Sequence, residues 1–359
     1  MKIERNEDYK KLTEKHSPKS PVLKNCIFAF LSGGFLCFAG QWLFYLYSYL
    51  GLNEEHAYLT VTITYIILAS VATALGFFDR IAPQMKTLLE VYLEDRKRFE
   101  AFLFDIDGTL WLGGTPIPGA VELLTRLRED GVPFGCLSNN SSDTRERIAG
   151  RLNKIGLPVS QENIVTCRDA VEPWFRNHNN GGKEWNCFLI GKCEDIPGVV
   201  RFETDPAKIM ECDGVLHNGS VYDWRVIMTA VLNFFIVFPE KPLIVSNPDI
   251  LCPLQNGFHI CSNGQMELVI RLLEERGIRK ERILLGKPHT PIYEVALSRF
   301  GIRNPSAVAA VGDLLTSDIQ GANRNGLTSV LVMTGFTTAE MAETATGDLK
   351  PDLVCSRLA

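Results

Sequence analysis

The sequence predicts an α/β fold built on an open parallel sheet, preceded by a pair of membrane-spanning helices. Two observations carry this. Two long uncharged apolar runs stand near the N-terminus, and beyond residue 99 short apolar runs alternate with helical segments. At 359 residues the chain has room for about two domains of roughly 100–200 residues each. With 46% hydrophobic and 22% charged residues it has ample material for a core. The net charge of −5 argues against a nucleic-acid partner. Ten cysteines form no C-x-x-C pair, which fits a reducing compartment, cysteines that act as small hydrophobes, and no zinc.

The first element is a hairpin over residues 1–84. Residues 26–50 (CIFAFLSGGFLCFAGQWLFYLYSYL) carry no charge, and about 20 apolar residues cross a bilayer core. A second uncharged run covers residues 57–78, after the polar link Asn53, Glu54, Glu55 and His56. A pair of buried soluble helices is the alternative, but neither run has a polar face. A cleaved signal peptide does not fit, because the first run is too long, starts late and is followed by another. Lys2, Arg5, Lys10, Lys11, Lys15, Lys19 and Lys24 precede the first run, the link has no Lys or Arg, and Arg80, Lys86, Arg96, Lys97 and Arg98 follow the second. The distribution puts both ends, and whatever follows, on the cytoplasmic side of a membrane.

Composition changes abruptly at Met85, which would serve as the first residue of an independent enzyme. Met85, Leu88, Leu89, Tyr92 and Leu93 recur at helical spacing and predict a short linker helix within residues 85–98.

Ala101 to Phe104 then reads as a buried strand ending at Asp105, with Asp107, Gly108 and Thr109 in the turn beyond it. Open α/β sheets bind ligands at such carboxyl ends. A calcium loop starting at Asp105 fails, since Pro116 would stand where the bidentate Glu belongs. A plain Asp/Gly turn remains open for this segment alone. Val132 to Leu137 is a second strand, ending in Ser138, Asn139 and Asn140, groups able to hold phosphoryl oxygens. Ile283 to Leu285 is a third, delivering Lys287 in a Gly-Lys-Pro sequence that is no Walker loop, since Glu281 replaces its first glycine. Ala307 to Val311 is a fourth, followed by Asp313 and Asp318. Singly each has an ordinary reading as a cap, a solvated charge or a turn; in this order they suggest one site.

These words carry family resemblances. Ser17 to Gln41 (SPKSPVLKNCIFAFLSGGFLCFAGQ) and Gly76 to Ile81 (GFFDRI) resemble the opening of the stage V sporulation protein AC family of membrane proteins, over roughly its first half. FLFDIDGTLW, LSNNSS, GKP and VGDLLTSDIQGA resemble the four motifs of the haloacid dehalogenase superfamily, from about Phe99 to the C-terminus. The long insertion between the second and third motifs, with IVSNPDI (Ile244 to Ile250), is similar to the class IIA phosphatases. That resemblance implies a Rossmann-like core over residues 99–179 and 263–359, with a C2-type α/β cap over residues 180–262. Within the cap, CFLIG, GVLHNG and PLIVSN read as strands and Val226 to Val237 as a helix too short to span a bilayer.

The resemblance implies that Asp105 is a nucleophile forming an aspartyl-phosphate and Asp107 the acid and base. Mg²⁺ would be held by Asp105, the Asp107 carbonyl, Asp313 and Asp318. Lys287, Ser138 and backbone amides would neutralise phosphoryl oxygens, with Thr109 and Asn139 as further phosphate-binding candidates. Asn247 and Asp249 would face substrate from the cap. A carboxylate, fully ionised at neutral pH, suits a two-step displacement. The expected function is therefore a Mg²⁺-dependent hydrolase of a small phosphorylated metabolite, tethered to membrane lipid, pairing as a homodimer through the cap. The rival expectation is a sporulation-related membrane assembly or transport component with a non-catalytic phosphate-binding domain.

Overall fold

The computed structural model describes residues 22–74, 85–178, 180–219, 223–254 and 257–359. The chain divides into two units, Met1–Gln84 and Met85–Ala359. In the first, helix α1 (Val22–Tyr49) is followed by α2 (Glu54–Ala74). The Phe44 and Tyr58 rings stack with centroids 4.4 Å apart, and the Tyr47 and Thr64 hydroxyls meet at 2.9 Å. Among the described residues no helix is long and apolar enough to cross a membrane, so the expected spanning pair finds no support there. The described side chains include Gln41, Ser48, Thr60, Thr62 and Thr64, and α2 opens on Glu54 and Glu55. The end of the second expected span (residues 75–78), the Gly76–Ile81 word and the basic residues from 2 to 19 lie outside the described residues.

The second unit opens with α3 (Leu88–Glu94), started by a capping box in which Thr87 and Glu90 exchange hydrogen bonds. Expected as a linker, this helix is built into its own unit. Leu88 and Tyr92 are buried in the core, and the Leu88 and Leu89 amides donate to the Arg357 and Leu358 carbonyls.

A six-stranded parallel sheet follows, formed by β1 (Ala101–Asp105), β4 (Phe134–Ser138), β5 (Ile164–Thr166), β13 (Val308–Gly312), β14 (Thr328–Val332) and β15 (Leu353–Cys355) in the order β15-β14-β13-β1-β4-β5. Between β1 and β4 lie the two-residue strands β2 (Trp111–Leu112) and β3 (Thr115–Pro116), an antiparallel pair. A parallel sheet is covered on both faces, so its strands are predominantly apolar. Phe102 and Phe104 point to one face, where α4 (Ala120–Glu129) and α5 (Arg145–Lys154) contribute Leu123, Leu127, Ile148 and Leu152. Ala101 and Leu103 point to the other, against Ile292 and Ala296 of α9 (Thr290–Arg299).

The insertion forms a second parallel sheet. It contains β6 (Trp185–Gly191), β7 (Val200–Glu203), β8 (Gly214–Asn218), β9 (Leu243–Val245) and β12 (Ile283–Leu284), in the order β12-β9-β8-β6-β7. Helix α7 (Trp224–Val237) supplies Val231, Phe234 and Phe235 to its core, and α8 (Ser262–Glu274) supplies Met266, Val269 and Leu273. Its other face covers α6 (Val171–Asn177) through Trp174 and Phe175. The hairpin β10 (Leu251–Leu254) and β11 (Gly257–Ile260) precedes α8. Both α8 and β12 lie beyond residue 262, yet they belong to this second sheet, because the buried face of α8 and the backbone of β12 find their partners there.

Candidate active site

Asp105 ends β1, the central strand between β13 and β4, so its carboxyl emerges where three parallel strands stop together. Asp313 follows β13 directly, and Asp318 lies in the turn before α10 (Gln320–Arg324). One carboxylate oxygen from each of Asp105, Asp313 and Asp318 falls within 4.8 Å of the others. Lys287 arrives from the opposite sheet, three residues after β12. Its Nζ donates to Asp105 Oδ1 at 2.5 Å and to Asp318 Oδ1 at 2.8 Å. Lys287 is 6% exposed, Asp318 5% and Asp105 11%, so little water screens these pairs.

The Asp313 carboxyl is fixed from several sides. Phe336 N donates to its Oδ2 at 2.9 Å, Thr109 Oγ1 makes a long 3.5 Å contact with its Oδ1, and Thr337 Oγ1 donates to its backbone carbonyl at 2.5 Å. Leu314 N holds Asp318 Oδ2 at 3.1 Å. Gly108 has φ +93°, and a β carbon there would lie 2.7 Å from Asp313 Oδ2. Only glycine lets the turn after Asp107 pass so close to that carboxylate.

Among the described residues of this cluster, three carboxylates face one ammonium. Burial pushes the Asp105 carboxyl well above the usual carboxylate range, against the pull of Lys287. Burial lifts Asp313 to about 6, and Asp318 adds to the rise. Burial works against the Lys287 charge, but the Asp105 and Asp318 carboxylates outweigh it and hold the ammonium protonated. Asp105 Oδ2 is buried with no hydrogen-bond partner. An orphaned buried carboxylate oxygen within a set of hard oxygen donors suits a divalent cation such as Mg²⁺.

The remaining sequence candidates occupy different positions. Ser138, at the end of β4, is buried, and its Oγ accepts from Asn140 N at 3.1 Å. The Asn139 side chain is fully engaged: its Oδ1 accepts from Lys287 N at 2.7 Å, and its Nδ2 donates to the Lys287 carbonyl at 3.0 Å and to Asp249 Oδ1 at 2.9 Å. It holds the lysine segment and leaves no donor for phosphate. Gly286 permits this approach, since a β carbon there would stand 2.4 Å from Asn139 Oδ1. Asn247 Oδ1 accepts from Asp249 N at 2.8 Å, so the side chain caps its own loop. Burial raises the Asp249 carboxyl, which lies close to the lysine segment through Asn139.

With this geometry in place, comparison with known proteins shows which hydrolases the chain resembles. A profile for haloacid dehalogenase-like hydrolases matches residues 102–197, and a second, HAD-hydrolase-like, matches residues 284–359. These two segments of the chain are similar to haloacid dehalogenase-like hydrolases. The hydrolase is 27% identical over 271 residues to a mouse glycerol-3-phosphate phosphatase, a match covering 67% of this chain and 81% of the relative. A solved p-nitrophenyl phosphatase from Archaeoglobus fulgidus is 26% identical, with a TM-score of 0.59 and coverage of 72% of this chain and 97% of the other. A glycerol phosphate phosphatase from Mycobacterium tuberculosis, solved in complex with magnesium, shares the fold at 22% identity and TM-score 0.63, with coverage of 77% and 78%. A third profile, for SpoVAC/SpoVAEB sporulation membrane proteins, matches residues 25–87.

Two parts of the hydrolase site escaped the sequence reading. The segment after β14, Thr334 to Thr337, forms a further strand tip that clasps Asp313 and, through Thr334 Oγ1, the Gly108 carbonyl at 3.1 Å. Its signal was present as an apolar strand ending in Thr-Gly. Trp111 donates its indole N–H to Asp107 Oδ1 at 2.8 Å; it stood inside the first motif without a role.

Proposed function

We propose that this enzyme is a Mg²⁺-dependent phosphomonoesterase acting on a small phosphorylated metabolite through an aspartyl-phosphate on Asp105. The observation that carries the proposal is the meeting of Asp105, Asp313, Asp318 and Lys287 at one buried point, with Asp107 one turn residue away.

A carboxylate oxygen of Asp105 displaces the alcohol from phosphorus. The P–O bond to the alcohol breaks, an acyl-phosphate forms, and Asp107 gives its proton to the departing alkoxide. Asp107 then takes a proton from the water that attacks the acyl-phosphate, releasing phosphate and restoring Asp105. Lys287 lies against phosphoryl oxygens and nucleophile alike, and Ser138 donates from the end of β4. Bound by Asp105, Asp313, Asp318 and the Asp107 carbonyl, Mg²⁺ would offset the repulsion between carboxylate and phosphate dianion. The second sheet acts as a cap that excludes bulk water and selects the leaving group. Pairing of two copies through that cap is part of the proposal, supported by exposed Ile250, Leu251 and Ile260 around its hairpin.

The N-terminal unit is proposed to tie the enzyme to a membrane with both termini and the catalytic domain cytoplasmic. The match to sporulation membrane proteins, the uncharged runs and the flanking lysines and arginines support this. Recovery of the full chain in the soluble fraction without detergent would contradict it.

The catalytic proposal is tested by phosphate release from p-nitrophenyl phosphate with Mg²⁺. The wild type turns over steadily, and Asp105→Asn falls to background; equal rates in the two proteins would reject the proposal.

A further inference from the structure

The proposed reaction gives Asp107 two proton transfers, and a carboxyl group has two oxygens that could carry the proton. The structure distinguishes them. Trp111 Nε1 donates to Asp107 Oδ1 at 2.8 Å. An indole N–H donates and never accepts, and the carbonyl oxygen of a protonated carboxyl is a far better acceptor than its hydroxyl oxygen, so the bond favours a proton on the other oxygen. Oδ1 is thereby reserved as the acceptor, and Oδ2 is left to carry the proton.

The indole is anchored for this task. Trp111 N donates to the Ile106 carbonyl at 3.1 Å and Gly108 N donates to the Trp111 carbonyl at 2.9 Å, so the backbone closes a tight turn around Asp107. Asp107 and Trp111 form a β-bridge, and Trp111 pairs with Pro116 in the β2-β3 ribbon. The ring is packed against the buried core cluster that also contains Phe104 and Leu110. Asp107 and Trp111 share the wall of a cavity of about 190 Å³ with Ser138 and Asn140. Tethers on both sides of a single side-chain contact are what a positioning group requires, because an unheld aspartate would rotate between staggered positions.

We propose that Trp111 is a positioning residue that orients Asp107 so that Oδ2 faces the leaving oxygen with its proton. This rests on the phosphomonoesterase reading above and adds to it a residue that touches neither metal nor nucleophile.

The consequence is selective. A p-nitrophenolate leaves without being protonated, whereas an alkoxide does not, and a positioned acid contributes about 10²–10⁴-fold to such steps. The test compares kcat for p-nitrophenyl phosphate and for glycerol 3-phosphate in the wild type and in Trp111→Phe, which keeps an aromatic ring and lacks the N–H. The ratio of the two rates within one protein is independent of how much of it is folded. The inference predicts that the alkyl-to-aryl ratio falls by about 10-fold or more, with both KM values within about twofold, since the base step acts on the same acyl-phosphate for both esters and only the acid step distinguishes them. In an Asp107→Asn background the same substitution leaves the ratio unchanged, as the proton it would direct is gone. An unchanged ratio in Trp111→Phe, or an equal fall of the ratio in both backgrounds, overturns the inference while the hydrolase proposal stands. Wild-type cleavage of the aryl ester alone also overturns only the inference, and cleavage of neither ester overturns both.

Discussion

Lys287 is the residue on which the acidic cluster balances. Its ammonium bridges Asp105 and Asp318, both almost fully buried, while Asp313 lies within reach of the same oxygens. Removing one partner of a buried pair costs about 3–5 kcal/mol, because the remaining charge is stranded in a poor solvent. Lys287→Met strands two. Urea unfolding without added metal should therefore show the variant less stable by about that amount at neutral pH. The gap should narrow in acid, since protonation relieves carboxylates that burial already holds above their usual range. A variant as stable as the wild type at neutral pH would mean that Asp105 and Asp318 are not both charged there. The identity of Lys287 was legible from sequence, because a lysine at the end of an apolar run is conspicuous. The role of Asn139 was not. Its partners Lys287 and Asp249 stand 148 and 110 residues away, and an amide at a strand tip looks the same whether it binds phosphate or backbone.

The strands that carry the site could be located because parallel strands, covered on both faces, are written as unbroken apolar words. β1, β4 and β13 follow that rule up to their last residue, as does β9 of the second sheet, whereas β6 admits Asn186 and β8 admits His217 and Asn218. What such a word does not state is the sheet it joins. β12 has two residues, and only its pairing with β9 assigns it to the second sheet. Helix α8 is likewise placed by its partners, and it brings Gln265 onto β8. His217, fully buried in that strand, donates from Nε2 to Gln265 Oε1 at 2.8 Å. Burial drives its pKa down to about 4, despite the opposing effect of that bond. The folded protein thus keeps His217 neutral in a range where the unfolded chain, titrating near 6.5, binds a proton. The stabilisation is complete above pH 6.5 and is lost as pH falls from there toward 4, a loss on the order of 3 kcal/mol. Compared with His217→Gln, the wild type should therefore surrender its stability advantage across that interval. A difference between the two proteins that is constant from pH 7 to pH 4 would show that His217 binds its proton as readily in the folded protein as in the unfolded chain.

The enzyme unit is two parallel sheets, each with apolar clusters on both faces, and the acidic cluster lies where loops from both come together. The first sheet contributes Asp105, Asp313 and Asp318, and the second contributes Lys287 through β12. Neither sheet contains the site alone. This division explains why the motifs are spread over more than 200 residues, and why removing the insertion would take the ammonium from Asp105. The aspartyl-phosphate is tested by acid quenching during turnover of p-nitrophenyl phosphate with Mg²⁺, followed by mass spectrometry of the peptide that contains Asp105. A nucleophilic Asp105 makes a fraction of that peptide heavier by one phosphoryl group, absent without substrate and absent in Asp105→Asn. Steady phosphate release with no labelled peptide, and undiminished in Asp105→Asn, would contradict that role.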